Sequence, residues 1–448
     1  MMMLSSRRRF FVLLLLFSIF LILLTFQVNP SDIRSQLPSL HRDPAPDGPR
    51  YKPAPTYTPP PVVDPFPALA TSKPPPIPSW NVPAPDLHNT TFGLPLAPPL
   101  LIGFTRSWPT LLQAVVSYLT AGWPAEQLFV VENTGAGGAN ARGRLTLQNP
   151  FYLDHERLAK LGVAVIATPT LLTFAQLQNF YIATARARGW PYFLWSHMDV
   201  VALSAEDGLA GISPPAASGA AAYKPLYHRA CEVTAQVMRE SPERWAGNFF
   251  AYDYLMLVNP TAFEAVGAWD SYIPYYLTDC DIYQRLGMAG WKFTTYEAGA
   301  IADINTVLDD LRVLYRDKSV KPSWRDPNPP PERRAASGAA RSAAGAHNNT
   351  TDASGSGSQD IEYFRALVRT VEEMGKYKTS ERWRNTWREG QRGGFNEEYY
   401  YDPLGFAEAF DVINEAGREV YRRKWGTDSC DLHGKHRELW DQWRVLRD

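Results

Sequence analysis

Cysteine is scarce in this chain. Cys231, Cys280 and Cys430 are the only three in 448 residues. They form neither a zinc-type cluster nor a dense disulfide framework, and at most one pair can bridge. An excess of charge is also missing. Forty-five Lys and Arg against 46 Asp and Glu leave a net charge of −1, which offers no electrostatic case for nucleic acid. No internal repeat is visible. Long apolar runs are absent too, with one exception at the N-terminus, although hydrophobic residues make up 45% of the chain, enough for a real core.

The exception is the run from Phe10 to Phe26, broken only by Ser18 and Thr25 and preceded by Arg7, Arg8 and Arg9. A membrane-spanning helix needs about 20 residues and tolerates about 17. A cleaved signal peptide is the rival, but its apolar region is usually about 7–15 residues and ends in a small-residue site. No A-x-A pattern follows here, so an uncleaved anchor is expected. The arginines place the short N-terminal side in the cytosol and the rest in the lumen. Three Asn-x-Ser/Thr sequons, Asn89, Asn348 and Asn349, fit that side of the membrane, and all three fall in expected loops.

Proline is abundant in one place. Nineteen of the 38 prolines lie between Pro44 and Pro99. Proline removes the N–H that ladders need, so this stretch reads as an extended spacer. From Leu100 the pattern changes to alternating apolar strands and amphipathic helices. "LLIGF", "QLFVVENTG", "VAVIA" and "WPYFLWSHMDVVAL" read as strands, and the segments between them as helices, the first two closed by Gly122 and Gly162. Such alternation indicates a parallel sheet with helical crossovers. The expected plan is a tail (1–9), an anchor (10–28), a disordered stem (29–98), an α/β domain (99–318), a disordered insertion (319–360) and a helical C-terminal part (361–448).

Open parallel sheets bind ligands at the carboxyl ends of their strands. The polar residues there are Thr105 and Arg106 after the first strand, Glu132 and Asn133 after the second, and His197 and Asp199 in the fourth. On a strand, His197 and Asp199 point to one side and together suit a divalent cation. The alternative is that the strand stops near Trp195 and Asp199 caps a turn. Asp279 and Asp281 begin a later helix, where Thr278 or Asp279 suits an N-cap. Two close carboxylates also suit a general base. Trp245, Trp269, Tyr275 and Tyr276 read as core packing or as a stacking platform for a ligand. Asp428, Asp431, His433 and His436 read as a surface turn, with a lid or a ligand as the alternatives.

The order of these pieces resembles the GT-A fold, family 2-like glycosyltransferases, over about Leu100 to Asp303. "GFTRS", "VVENTG", "QLQNF", His197-Met198-Asp199 and "GAWDSYIPYYLTDCDIYQRLGMAGW" carry the likeness. His197 stands where the family has the first Asp of its metal motif, and Thr278 where it has a glutamate. The resemblance implies a Rossmann-like, three-layer α/β sandwich with a mostly parallel central sheet behind one transmembrane helix. It implies a nucleotide-sugar donor held by Thr105, Arg106, Glu132, Asn133 and Asn179, and Mn2+ or Mg2+ held by His197, Asp199 and Asp303. Asp279 becomes the base, with Asp281 as its backup, in an inverting transfer to a glycan or glycoprotein acceptor. The setting it implies is a Golgi or ER membrane, type II, with the catalytic part lumenal. The alternatives are an inactive, membrane-tethered glycan-binding protein and a sugar-nucleotide nucleotidyltransferase.

Overall fold

The computed structural model describes residues 61–216, 220–326, 356–380 and 403–447, with residues 14, 15, 17, 18, 48–51, 53, 394 and 397. The chain divides into two units, residues 1–58 and 59–448, and the architecture below is that of the second. The expected anchor lies almost wholly outside the described residues, among which no helix is long and apolar enough to cross a membrane.

Strand β1 (Leu100–Phe104) is followed by helix α1 (Trp108–Thr120), β2 (Leu128–Glu132), α2 (His155–Lys160), β3 (Ala164–Ala167), α3 (Phe174–Ala187) and β4 (Phe193–Ser196). Beyond them come β5 (Val200–Leu203), α4 (Leu226–Glu240), β6 (Trp245–Phe249), β7 (Leu255–Val258), α5 (Pro260–Ala265), α6 (Thr278–Met288), β8 (Lys292–Thr294) and β9 (Ala300–Asp303). Two long helices close the described chain: α7 (Ser356–Thr379) and α8 (Pro403–Trp425).

The main sheet has the order β3-β2-β1-β4-β7-β6-β8. Its pairings are parallel except those of β7 with β4 and β6, so β7 alone runs against the rest. Side chains of a strand alternate between faces. Leu100, Ile102 and Phe104 therefore join one core with α1 and α4, while Leu101 joins another with α3 and α6. Two cores on opposite faces of one sheet make three layers, as the strand–helix alternation predicts. Gly103 leaves room here: a Cβ would lie 2.8 Å from Leu177 Cδ2 and closer still to Tyr181 Oη, so a larger residue would make these side chains of α3 shift.

The structure corrects three expectations. The stretch Trp190–Leu203 is not one strand. It forms β4 and β5, which belong to different sheets, and His197 to Asp199 make the link between them. The stem expected over 29–98 is integrated from residue 61 onward. Phe66 and Leu69 are 1% exposed, Asp64 pairs with Arg157 at 2.6 Å, and the Val62 N–H donates to Gln148 at 2.8 Å. Asn81, fully buried, donates to Thr120 O and to Glu206, whose carboxylate also takes the Arg316 guanidinium. Prolines spare this segment unsatisfied donors, so it covers a surface without needing a ladder. The insertion expected over 319–360 begins later, since Val320 and Trp324 pack on the core and α7 starts at Ser356; residues 327–355 lie outside those described. Two smaller points follow. Asn89 sits exposed on a helical turn, Leu87–Thr90, rather than in a loop, and Asn348 and Asn349 lie outside the described residues.

Candidate active site

The site starts at the end of β4. Ser196, a polar residue in an apolar strand, is buried and satisfied: its hydroxyl accepts from Tyr118 at 2.7 Å and donates to Tyr254 O at 2.8 Å. The main chain then leaves the sheet, and antiparallel pairing of β5 with β9 sets Val200 opposite Asp303. The Ile304 N–H donates to Asp199 O at 2.8 Å and fixes the turn. This pairing, more than the i, i+2 spacing, brings the acidic groups together. His197, Asp199 and Asp303 each offer a ligand atom, all within 4.8 Å of one another, and all three side chains are half-buried. His197 Nδ1 lies 3.7 Å from Asp199 Oδ1, while its Nε2 is buried with no hydrogen-bond partner among the described residues. The ring stacks on Trp195 with centroids 5.2 Å apart. One imidazole and two carboxylates are a donor set that suits Mn2+ or Mg2+.

A cation of the chain's own reaches the same atoms. Lys378 Nζ lies 2.5 Å from Asp199 Oδ2 and 2.5 Å from Asp303 Oδ1, and donates to Ile304 O at 3.2 Å. Burial pushes the Asp199 carboxyl up, but the Lys378 charge and His197 bring it below its ordinary value. Asp303 is held above its ordinary value by burial and by the charge of Asp199. One ammonium shared by two carboxylates makes the first proton easy to lose and the second hard.

Asp279 opens α6, whose N-cap is Leu277 in the left-handed region, not Thr278 or Asp279. Its carboxylate is therefore not spent on capping. It is partly exposed and accepts from Tyr252 Oη at 3.2 Å. Tyr252 packs on Tyr254, and Tyr254 on His197, with ring centroids 5.7 and 6.1 Å apart. A short aromatic bridge thus links Asp279 to the acidic cluster on one side of the sheet. Asp253, buried in the same turn, has its carboxyl raised by burial, with the charges of Asp279 and Asp303 adding to the effect. It lies within the otherwise apolar "FFAYDYLML", where a buried acid is the available signal.

Asp281 has a different fate. It is fully buried, bonded to Arg285 Nη2 at 2.7 Å, Lys424 Nζ at 2.7 Å and Trp425 Nε1 at 2.9 Å, so its carboxylate is closed off from a substrate as a second base. The Cys280–Cys430 disulfide ties the same helix to the C-terminal segment. Within that segment Asp428, Asp431, His433 and His436 are exposed, as a surface turn requires.

The expected nucleotide contacts divide. Thr105 is half-buried and Arg106 buried at the end of β1. Glu132 is 2% exposed and bonded to Asn140 at 2.7 Å and His155 Nε2 at 3.0 Å. Asn133 bridges Leu172 and Thr168, and Asn179 exchanges two hydrogen bonds with the Trp269 backbone. These three spend their polar groups on neighbouring protein atoms. Trp245 and Trp269 are buried and Tyr275 packs on Phe410, which favours packing for these three; Tyr276 is 37% exposed and meets Phe410 only edge-on at 6.3 Å.

No family model matches the chain, and no curated protein does. Two solved structures align loosely. A cytidylyltransferase from Leptospira borgpetersenii is 12% identical, with a TM-score of 0.28 over 45% of this chain and 76% of its own. A mannosyltransferase from Pyrobaculum calidifontis, in complex with GDP-Man and Mn2+, is 12% identical, with a TM-score of 0.31 over 71% of this chain and 87% of its own. Overlaps this loose carry no functional argument.

Proposed function

We propose that the protein is a glycosyltransferase that moves a sugar from a nucleotide-diphospho-sugar to a hydroxyl of a glycan or glycoprotein. One observation carries this reading: His197, Asp199 and Asp303 converge beyond the sheet at the end of β4, with Asp279 reached from them across Tyr254 and Tyr252. His197, Asp199 and Asp303 would hold Mn2+ or Mg2+, which supplies Lewis-acid stabilisation of the leaving diphosphate. Thr105 and Arg106 stand at the neighbouring strand end for the nucleotide. Asp279 accepts the proton of the acceptor hydroxyl as the new bond forms at the anomeric carbon and the bond to the diphosphate oxygen breaks. Attack from the face opposite the leaving group inverts the configuration.

The anchored, lumenal setting belongs to the same proposal. The Arg7–Arg9 cluster and the Phe10–Phe26 run support it. So does the disulfide, since such bonds persist in oxidising compartments.

The test is Asp279→Asn. A lost general base costs about 100- to 10,000-fold in turnover. Donor binding, measured separately by calorimetry, stays near wild type. Turnover equal to wild type in this variant overturns the base assignment. An inactive glycan-binding protein predicts no turnover of any nucleotide sugar by the wild type.

A further inference from the structure

We propose that Lys378 is a built-in occupant of the cation seat, which a divalent ion must displace, so that the last turn of α7 acts as a latch on the site. The inference rests on the metal reading above.

Its first support is the way α7 delivers the lysine. Phe364, Leu367, Val371 and Met374 are buried at spacings of three and four. Side chains so spaced share one face of a helix, and Lys378 continues the series four residues on. It is aimed inward by the same periodicity that packs the helix. The helix lies alongside the end of β9 here: a Cβ on Gly375 would meet Asp303 O at 3.6 Å, an ordinary van der Waals contact. Neighbouring contacts hold the turn down, with Tyr377 against the Trp324 ring at 5.2 Å.

The second support is valence. An ammonium has three N–H donors and no acceptor. Lys378 meets three acceptors: Asp199 Oδ2, Asp303 Oδ1 and Ile304 O. Nothing is left for a diphosphate while it sits there. Two carboxylates against one ammonium also leave these three groups with one negative charge in excess, which repels a diphosphate. A divalent cation in place of the ammonium removes that excess and frees Lys378 to face the incoming phosphates. Metal binding and release of the lysine are thus one exchange, and the lysine lowers metal affinity by competing for the same oxygens.

The experiment compares wild-type protein with Lys378→Met and, as a control in the same turn, Lys376→Met, whose side chain is exposed. Mn2+ binding is titrated without nucleotide, reading free Mn2+ by electron paramagnetic resonance. Lys378→Met is expected to bind Mn2+ about tenfold or more tightly than wild type, and Lys376→Met to match wild type. Amide hydrogen exchange of the wild type is recorded alongside, where saturating Mn2+ is expected to speed exchange over residues 375–379. Equal or weaker Mn2+ affinity in Lys378→Met overturns the latch. If that variant does not fold, unchanged exchange of the last turn at saturating Mn2+ overturns it instead. No detectable Mn2+ binding by either protein also overturns it. None of these readings uses a sugar nucleotide, so glycosyl transfer stands or falls separately on the Asp279→Asn comparison.

Discussion

Glu132 and His155 form a pair whose protonation bears on folding. The bond to Glu132 raises the His155 ring above its ordinary 6.5, burial opposing. Burial pushes Glu132 up, but the bonds from His155 and Asn140 outweigh it and leave the carboxyl below 4.5. A raised His contributes stability that is complete below pH 6.5 and lost as pH rises through its folded value. A depressed Glu contributes stability that is complete above pH 4.5 and lost as pH falls through its folded value. The pair therefore stabilises most between those limits. His155→Gln is expected to flatten the alkaline side of a melting-temperature profile recorded from pH 6 to 9. A profile identical to wild type contradicts the pairing. At this scale the sequence shows where acids stand along the chain but not which neighbours they meet. Glu132 and Asn133 were legible as strand-end residues, yet whether such a group meets a ligand or its own neighbours depends on Asn140, His155, Thr168 and Leu172, which no local pattern connects to it.

Helix α6 shows what an element adds. Asp279 and Asp281 are two residues apart, and at about 100° per residue they point nearly opposite ways. Asp281, Ile282, Arg285 and Leu286 form the buried stripe, which leaves Asp279 on the open side. That phase was readable from the spacing of Ile282 and Leu286. The charges that neutralise Asp281 were not, because Lys424 and Trp425 come from the far end of α8. Lys424→Met strips one cation from a buried carboxylate that keeps Arg285 and Trp425, and is expected to lower stability by about 3 kcal/mol, measured by urea unfolding. No loss would mean that Lys424 is not a buried partner. The disulfide beside it closes a separation of 150 residues. A loop of that size confers roughly 5 kcal/mol by the chain-entropy account. Cys280→Ser is expected to lose 2–5 kcal/mol, within about that range. Lys378 was hidden for the same reason as Lys424: α7 follows β9 only after a long intervening stretch, and a lysine on an amphipathic helix looks like any solvated charge.

For the unit spanning residues 59–448, the α/β layering followed from strand–helix alternation, which local periodicity encodes. The place where the proline-rich stretch joins the core did not, because proline content reports missing ladder bonds and not missing contacts. Phe66, Leu69, Leu87 and Leu94 are all buried, and each such side chain is worth about 1.5–3 kcal/mol. A chain beginning at Pro59 is expected to melt like one carrying the whole N-terminus. A chain beginning at Pro99 is expected to melt far lower or fail to fold. Equal melting of the two would show that the proline-rich stretch only borders the domain.

The central claim is that Asp199 and Asp303 receive a cation-bridged nucleotide sugar. The most direct measurement is thermal stabilisation of residues 59–448 by a panel of nucleotide-diphospho-sugars, with and without Mn2+. A ligand at a hundred times its Kd adds about 2.7 kcal/mol. The account predicts that at least one donor raises the melting temperature with Mn2+ present, and that Asp199→Asn and Asp303→Asn abolish the rise. No shift with any donor, or an undiminished shift in both variants, would contradict it.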